Sequence, residues 1–233
     1  MEFFNFDVGK NRIYNVDWLK TIAILAVLLL HCSSKYLMPD FVFQPNWYCG
    51  VFFESLSRFG VPLFIMVSGF LILRKDQPIS SVPRRIKRVL IPFIFWLVVY
   101  VIAKFAMIYH SFDLIQFGYF LIQAFLDPTI VSIEFWFVYM IVGLYIFSPI
   151  ITTWLHNAEI YEIEYFLIVW ALISFVGFSN VDFLLYDYLK YFTGSIGYFI
   201  LGYYLYIKQK SVLKNKNFGL VLFVAGTLLS FLG

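Results

Sequence analysis

Charged residues are scarce in this sequence: they make up 13% of its 233 residues, whereas hydrophobic residues make up 62%. An average soluble domain contains roughly 25% charged residues. A soluble fold of this size could not bury so much apolar surface, so most of that surface must face lipid or neighbouring helices. The net charge of +3 is too small to indicate nucleic-acid binding.

Cysteine is nearly absent too, with only Cys32 and Cys49. Two cysteines exclude a disulfide framework and a four-cysteine zinc site, and we expect no metal site. Both fall near the same predicted membrane face, so a bridge between them stays open beside the favoured alternative of two free thiols. A Gly-rich phosphate loop and a nucleophile elbow are also missing from the sequence.

Apolar windows long enough to cross roughly 30 Å of hydrocarbon occur at about seven places. Lipid forbids exposed unpaired backbone, which predicts an all-α polytopic membrane protein with one domain over residues 1–233. The amphipathic segment Leu114–Leu126 is too short to span and is expected to lie in the interface. The predicted spans lie near residues 16–36, 49–73, 88–109, 135–155, 164–180, 190–207 and 217–233.

The basic residues predict the orientation of these spans. Most of the 17 Lys and Arg residues lie before the first helix or in the connections after the second and sixth, which alternation places on one side. The loop from Tyr109 to Ile133, on the other side, contains neither Lys nor Arg. Positive charge marks the cytoplasmic side, so the N-terminus is predicted to be cytoplasmic.

The first predicted helix carries a polar stripe, formed by Asp17, Lys20 and His31. Eleven residues separate Lys20 from His31, which returns to within about 20° of the same helix face. Asp17 lies about 40° from His31 on that face. Ionisable groups inside a span indicate function, and a neutral His suits a general base or a nucleophile. The alternative is a His bonded to a neighbouring helix above an interfacial Asp17–Lys20 pair.

The second predicted helix contains three further candidates, Arg58, Pro62 and Ser68. Pro62 lacks a backbone donor and predicts a kink. Ser68 and Gly69 allow close helix approach, and Ser68 could supply a polar group to a substrate cavity. Arg58 could face an anion or a carboxylate, or could instead be an interfacial anchor.

Four cations lie within five residues where the third helix opens: Arg84, Arg85, Lys87 and Arg88. Guanidinium groups bind phosphate in bidentate fashion, so a phosphate-rich ligand fits this cluster. Positive-inside topology or anionic lipid explains the same charges. In the fourth helix, Trp136 and Tyr139 share one face, which indicates either a substrate contact or an interfacial aromatic belt.

These pieces together resemble the acyltransferase 3 family of integral membrane acyltransferases, which O-acylate cell-envelope glycans and related molecules. The four segments that carry the resemblance are Asp17–Lys20 with His31, Val61–Phe64 with Ser68–Ile72, Arg85–Arg88 with Ile91–Phe93, and Trp136–Tyr139 with Gly143–Tyr145 and Ser148–Pro149. The last of these segments is particularly similar to members related to enterobacterial common antigen acetyltransferases.

The resemblance implies an acyl-coenzyme A donor, with acetyl-coenzyme A expected, as a co-substrate and not as a bound cofactor. His31 would be the catalytic residue, and Lys20, Arg85 and Arg88 would help to hold the donor or order the site. Lys20 stands where the family often has Arg, so a bidentate contact becomes a point charge. Family members have about ten spans, so the chain is expected to lack the last spans of that fold.

The hypothesis is therefore an acyltransferase of the bacterial cytoplasmic membrane that acylates a hydroxyl of an envelope glycan or its lipid-linked precursor. Its partners would be membrane lipids, the donor and that acceptor, with no nucleic acid. The rival hypothesis is a transporter or polysaccharide exporter, in which Arg58 and His31 line a polar path or relay protons.

Overall fold

The computed structural model describes residues 14–37, 42, 44–109, 113–178, 194–208 and 216–232, and the regular elements among them are all helices. Short 3₁₀ turns cover Lys35–Leu37, Ile79–Ser81, Pro128–Ile130 and Ile133–Phe135. The α-helices are α1 (Tyr14–Ser34), α2 (Pro45–Ser57), α3 (Gly60–Leu73), α4 (Val82–Ile108), α5 (Leu114–Leu126), α6 (Trp136–Asn157), α7 (Ile160–Phe178), α8 (Ile196–Ile207) and α9 (Lys216–Leu232).

Four helical segments among the described residues are long and apolar enough to cross a membrane, which confirms an all-α polytopic membrane protein. Three shorter apolar helices accompany them, and one is Leu114–Leu126, with the bounds that the sequence predicts. Residues 179–193, where two of the predicted spans end and begin, lie outside the described residues. The four long segments are Asn15–Leu37, Pro45–Leu73, Ile79–Ile108 and Ile133–Asn157.

The chain divides into two compact units. The first unit contains Met1–Arg74 and Ala158–Gly233, and the second contains Lys75–Asn157. The single domain predicted over residues 1–233 stays a prediction.

Backbone contact between α3 and α8 is the tightest packing of the first unit. A Cβ added at Gly69 would overlap the Phe199 carbonyl group, and one added at Gly202 would overlap that of Met66. Small residues let helix backbones approach this closely, and dispersion between the backbones then holds the pair. The sequence predicts the close approach at Gly69 but not its partner helix.

Helix α1 packs antiparallel to α3. Val16, near the start of α1, shares a buried apolar cluster with Val67 and Phe70, near the end of α3. Gly60, the first residue of α3, approaches the middle of α1, where an added Cβ would lie 3.0 Å from the Ala23 carbonyl oxygen. The absence of a side chain at Gly60 therefore sets the distance between the two helices.

The predicted second span, 49–73, lies within the segment Pro45–Leu73, which the structure divides into two α-helices. The α-helix stops at Ser57 and resumes at Gly60, with turn residues Arg58 and Phe59 between them. Pro62 has no N–H to donate to the Arg58 carbonyl, so an unbroken ladder is impossible at this point. The kink expected at Pro62 is thus a break four residues earlier.

Helices α7 and α8 form an antiparallel pair in the first unit. The Trp170 indole fills the space above Gly197 and donates a hydrogen bond to the Gly194 carbonyl, 3.2 Å away. At the other end, Glu164 accepts hydrogen bonds from Lys208 and Tyr204. The hydrogen bond to Glu164 raises the pKa of Lys208, which lies just beyond the end of α8.

The second unit packs α4 antiparallel to α6, with α5 against both α4 and the turn that precedes α6. Its core contains Phe93, Leu97 and Val101 of α4 with Ala124 of α5. At the far end of α4 the half-buried Lys104 donates to the Ile130 carbonyl oxygen at 2.6 Å, in the 3₁₀ turn after α5. Lys104, to which the sequence assigns no role, therefore fixes this turn.

Replacing Gly69 with Ala should destabilise the protein by about 1–3 kcal/mol, because the new methyl group forces the α3 and α8 backbones apart. Thermal unfolding in detergent measures the change. Gly143→Ala is the matched control: no atom lies within 4 Å of its Cβ position, so this variant should gain up to about 1 kcal/mol of helix stability. Equal stability of Gly69→Ala and the wild type would contradict this packing.

The topology prediction is that alkaline phosphatase, which is active only when exported, is active when fused after Asp113. Fusions after Gln77 and after Asn157 should be inactive. Gln77 lies in a basic connection, and Asn157 is at the end of α6, which returns the chain to the cytoplasmic side. Measured enzyme activity, normalised to the amount of fusion protein, reports each position. The reverse pattern of activities would invert the orientation.

Candidate functional site

The polar stripe of α1 lies along the edge of the face that packs inside the first unit. Asp17, Lys20 and His31 are each half-buried. The buried face next to them contains Val16, exposed by 3%, and Ala23, fully buried. At 100° per residue, Lys20 lies about 60° from Ala23 and His31 about 80° from it. The three ionisable side chains therefore border protein and not lipid alone.

The hydroxyl groups around the stripe bond to the main chain of α1. Thr21 donates to the Asp17 carbonyl oxygen and Ser34 to that of His31, both at 2.9 Å. These bonds join Thr21 and Ser34 to main-chain carbonyl groups, so the proposed chemistry of the stripe rests on the side chains of its three ionisable residues. The neighbouring thiols Cys32 and Cys49 are exposed and free, so the bridge left open by the sequence is not formed.

Arg58 does face a carboxylate, as one reading of the sequence expects, and that carboxylate belongs to the preceding helix turn. Its guanidinium donates to both oxygens of Glu54, with Nη2 3.1 Å from Oε1 and 3.2 Å from Oε2. The side chain is 48% exposed. The transporter hypothesis uses a buried Arg58, whereas in the structure Arg58 is exposed and paired with Glu54.

Ser68 is buried on α3, and its hydroxyl donates to the Phe64 carbonyl oxygen at 2.9 Å. A serine bonded back to the preceding turn satisfies its own donor in an apolar environment. The next residue is Gly69, so Ser68 lies close to the crossing of α3 and α8.

The basic cluster lies in the first turns of α4, and its members differ in exposure. Arg84 and Arg88 are exposed, whereas Arg85 is half-buried. Arg85 donates through Nη2 to the side-chain oxygen of Gln77, a buried residue whose amide donates to the Lys75 carbonyl at 2.8 Å. Gln77 thus fixes the guanidinium of Arg85 in place.

Tyr145 of α6 lies close enough to Arg85 for the charge of the guanidinium to act on its phenol group. The Nη1 atom of Arg85 is buried without a hydrogen-bond partner among the described residues. The bond to Gln77 orients this guanidinium, and its buried Nη1–H group lacks the acceptor that an anionic ligand would supply.

Pro149 leaves the Tyr145 carbonyl without a donor in the α6 ladder, and the Ser148 hydroxyl replaces it at 2.8 Å. The Ser148–Pro149 pair is therefore what lets α6 continue to Asn157 past Tyr145. The family resemblance includes Tyr145, Ser148 and Pro149, but the sequence does not indicate that they belong to the site. Local spacing cannot show that Tyr145 lies near Arg85, 60 positions earlier. A Ser–Pro pair inside a span does indicate that the serine hydroxyl replaces the backbone donor that proline lacks.

The two aromatic candidates on α6 are both partly exposed. Tyr139 donates to the Phe125 carbonyl oxygen at 2.5 Å and meets the edge of the Phe93 ring at 5.6 Å. Trp136 is 43% exposed and contacts Phe137 edge to face. Beside them is an open apolar pocket of about 400 Å³ between α4 and α6, lined by Val89, Pro92, Phe93, Trp96, Tyr100, Phe135 and Val138.

The structure therefore brings the candidates together in two sets. Asp17, Lys20 and His31 form one set in the first unit, with Ser68 on α3 and Arg58 in the turn between α2 and α3. Arg85 with Gln77 and Tyr145 forms the other in the second unit. Among the described residues, no three His, Cys, Asp or Glu side chains are grouped so that they could hold a metal ion.

The protein is thus a multi-pass membrane protein with a polar stripe on its first helix and a fixed guanidinium at the start of its fourth. The chain belongs to the acyltransferase 3 family, whose acyltransferase domain matches residues 13–233. The particular likeness to enterobacterial common antigen acetyltransferases stays a prediction.

Among individual proteins, the chain is similar to the nodulation protein NolL of Sinorhizobium fredii, with 30% identity over 106 residues. The match covers 44% of this chain and 28% of NolL. No solved structure matches the chain.

The Arg58–Glu54 pair should contribute little to stability, because it joins two side chains that are only one helical turn apart. We expect a coupling free energy below about 1 kcal/mol from a double-mutant cycle of Arg58→Gln and Glu54→Gln, followed by thermal unfolding in detergent. If Arg58→Gln abolished acyl transfer while Glu54→Gln left it intact, Arg58 would instead have the substrate role that its position in the sequence allows.

Proposed function

We propose that this protein transfers an acyl group, with acetyl expected, from acyl-coenzyme A to a hydroxyl group of an envelope polysaccharide or its lipid-linked precursor, in the bacterial cytoplasmic membrane. Family membership supports acyl transfer as the class of reaction. The donor, the acceptor and the membrane are parts of the proposal.

The observation that carries the proposal is the placement of the polar stripe. In a helix that is mostly apolar, Asp17, Lys20 and His31 are half-buried along the edge of the packed face, while apolar neighbours such as Leu25 are 59% exposed. A lipid-facing position would leave these groups without polar partners in hydrocarbon, and ionisable residues kept inside a span mark functional sites.

His31 is the proposed catalytic residue. As a general base, a neutral imidazole removes the proton from the acceptor hydroxyl while the oxygen attacks the thioester carbonyl, and the coenzyme A thiolate leaves and takes up a proton. As a nucleophile, the imidazole would attack the thioester carbonyl, expel the coenzyme A thiolate and carry the acyl group until the acceptor oxygen displaces it, with the acceptor proton passing to the thiolate. Lys20 and Asp17 would order the site around it on the same helix face.

The donor phosphates are proposed to bind the basic start of α4. Arg85 supports this role best, because Gln77 orients its guanidinium and leaves Nη1 without a partner. Arg84 and Arg88 are exposed on adjacent turns, where their charges attract the same phosphates. Burial and fixed geometry make Arg85 the specific contact of the three.

The remaining substrate-binding proposals are Arg58, Ser68, Trp136 and Tyr139. Three of these side chains already have a hydrogen-bond partner: Arg58 with Glu54, Ser68 with Phe64, and Tyr139 with Phe125. A substrate contact by any of them would be added to that bond or would replace it.

His31→Ala should lower acyl transfer by about 10²–10⁴-fold while acetyl-coenzyme A still binds, because the change removes the proton acceptor and not the phosphate contacts. The measurement is transfer of radiolabelled acetyl groups from acetyl-coenzyme A into the glycan and lipid fractions of membranes that contain the protein.

Cys32→Ala is the matched control, since Cys32 is the next residue on α1 and its thiol is exposed. This variant should transfer acetyl groups at close to the wild-type rate. Full activity of a folded His31→Ala protein would overturn the mechanism. A folded wild-type protein that neither binds acetyl-coenzyme A nor transfers acetyl groups would overturn the proposed function.

A further inference from the structure

Arg74, at the end of α3, contains two buried nitrogen atoms that nothing among the described residues satisfies. Both Nε and Nη1 are enclosed without a hydrogen-bond partner. Burying a donor without a hydrogen-bond acceptor costs free energy, and the cost is larger for a charged donor than for a neutral one. The role assigned to Arg74 by the sequence is general positive charge on one side of the membrane, which requires no burial.

The position of the Arg74 guanidinium is fixed by stacking. Its Cζ atom lies 5.1 Å from the centroid of the Phe70 ring, one helical turn earlier. The ring is 8% exposed and is itself held in the cluster with Val16 and Val67. A guanidinium on a buried aromatic face loses little further freedom when it binds a ligand.

The place of Arg74 in the first unit points to the kind of ligand. Phe70 and Val16 share one cluster, so Arg74, one turn after Phe70, lies at the end of the unit where α1 begins. The basic residues predict that this end is cytoplasmic, where both soluble phosphorylated ligands and lipid phosphates are found. Arg74 is half-buried and not fully enclosed, so part of the residue remains accessible.

We propose that Arg74 binds a phosphate group. Phosphate offers the paired oxygen acceptors that two neighbouring guanidinium N–H groups match, and its charge compensates the buried cation. Resting on the proposed function, the phosphate belongs to the acyl-coenzyme A donor, which makes Arg74 a donor-binding residue of the first unit. An anionic phospholipid presents the same chemistry and is separated from the donor by experiment.

The test compares Arg74→Gln with Lys75→Gln in the whole protein in detergent. Both changes remove one positive charge at adjacent positions, but Lys75 is exposed, whereas Arg74 is half-buried. Coenzyme A binding by isothermal titration calorimetry should weaken by about tenfold or more in Arg74→Gln and by less than about threefold in Lys75→Gln. Arg74→Lys, which keeps the charge and the fold but not the fork of donors, should fall between them.

Two further probes identify which phosphate is bound. Affinity for 3′-dephospho-coenzyme A should be equally sensitive to Arg74→Gln if Arg74 contacts the diphosphate, and insensitive if it contacts the 3′-phosphate. Thermal stabilisation by phosphatidylglycerol, relative to phosphatidylcholine, should be the same in Arg74→Gln and the wild type. Loss of that stabilisation with unchanged coenzyme A binding would assign the phosphate to a lipid and overturn the donor role.

The outcomes separate this inference from the proposed function. Wild-type coenzyme A binding that Arg74→Gln and Lys75→Gln weaken equally would overturn the inference and leave the proposed function intact. Absence of coenzyme A binding in the wild type, with phosphatidylglycerol stabilisation that needs Arg74, would overturn the donor and keep the phosphate site. Absence of both responses in a folded protein would overturn both.

Discussion

The structure depends on one constraint: inside hydrocarbon, a polar group must find a partner within the protein or from a ligand. Ser148 donates to the Tyr145 carbonyl that Pro149 strands, Ser68 donates to Phe64, and Lys104 binds the turn after α5. Where such repairs are made almost everywhere, the exceptions become informative. Among the described residues these exceptions are nitrogen atoms of Arg74 and Arg85 and the hydroxyl groups of Ser81 and Ser230, and the two arginines suit phosphate.

Close backbone packing between helices places the polar stripe of α1 against protein, as this constraint requires. Gly60 lets α3 approach α1, and Gly69 with Gly202 lets α8 approach α3, so α1 rests against protein along one side. Without those approaches the polar stripe would face lipid, where Asp17, Lys20 and His31 would be costly. The chemistry proposed for α1 is therefore supported by glycines that contact no substrate.

Composition and spacing predict the class of fold because lipid leaves few alternatives. They predict the bounds of α5, the close approach at Gly69 and the shared face of the polar stripe, which follow from local periodicity. They miss the break at Arg58 and Phe59, because a proline disturbs the ladder four residues before itself. They also miss that Gln77 and Tyr145 lie near Arg85, and that Gly202 of α8 packs against α3. Pairing between distant segments depends on tertiary packing that one sequence does not show.

Photolabelling would show whether acyl transfer takes place at the polar stripe of α1. An acyl-coenzyme A analogue with a photoreactive group in its acyl chain would be bound, illuminated and followed by peptide mass spectrometry. If transfer takes place there, the label should be found on the peptide that contains His31 and should be suppressed by excess acetyl-coenzyme A. Competable label confined to other helices, with none on α1, would contradict that location.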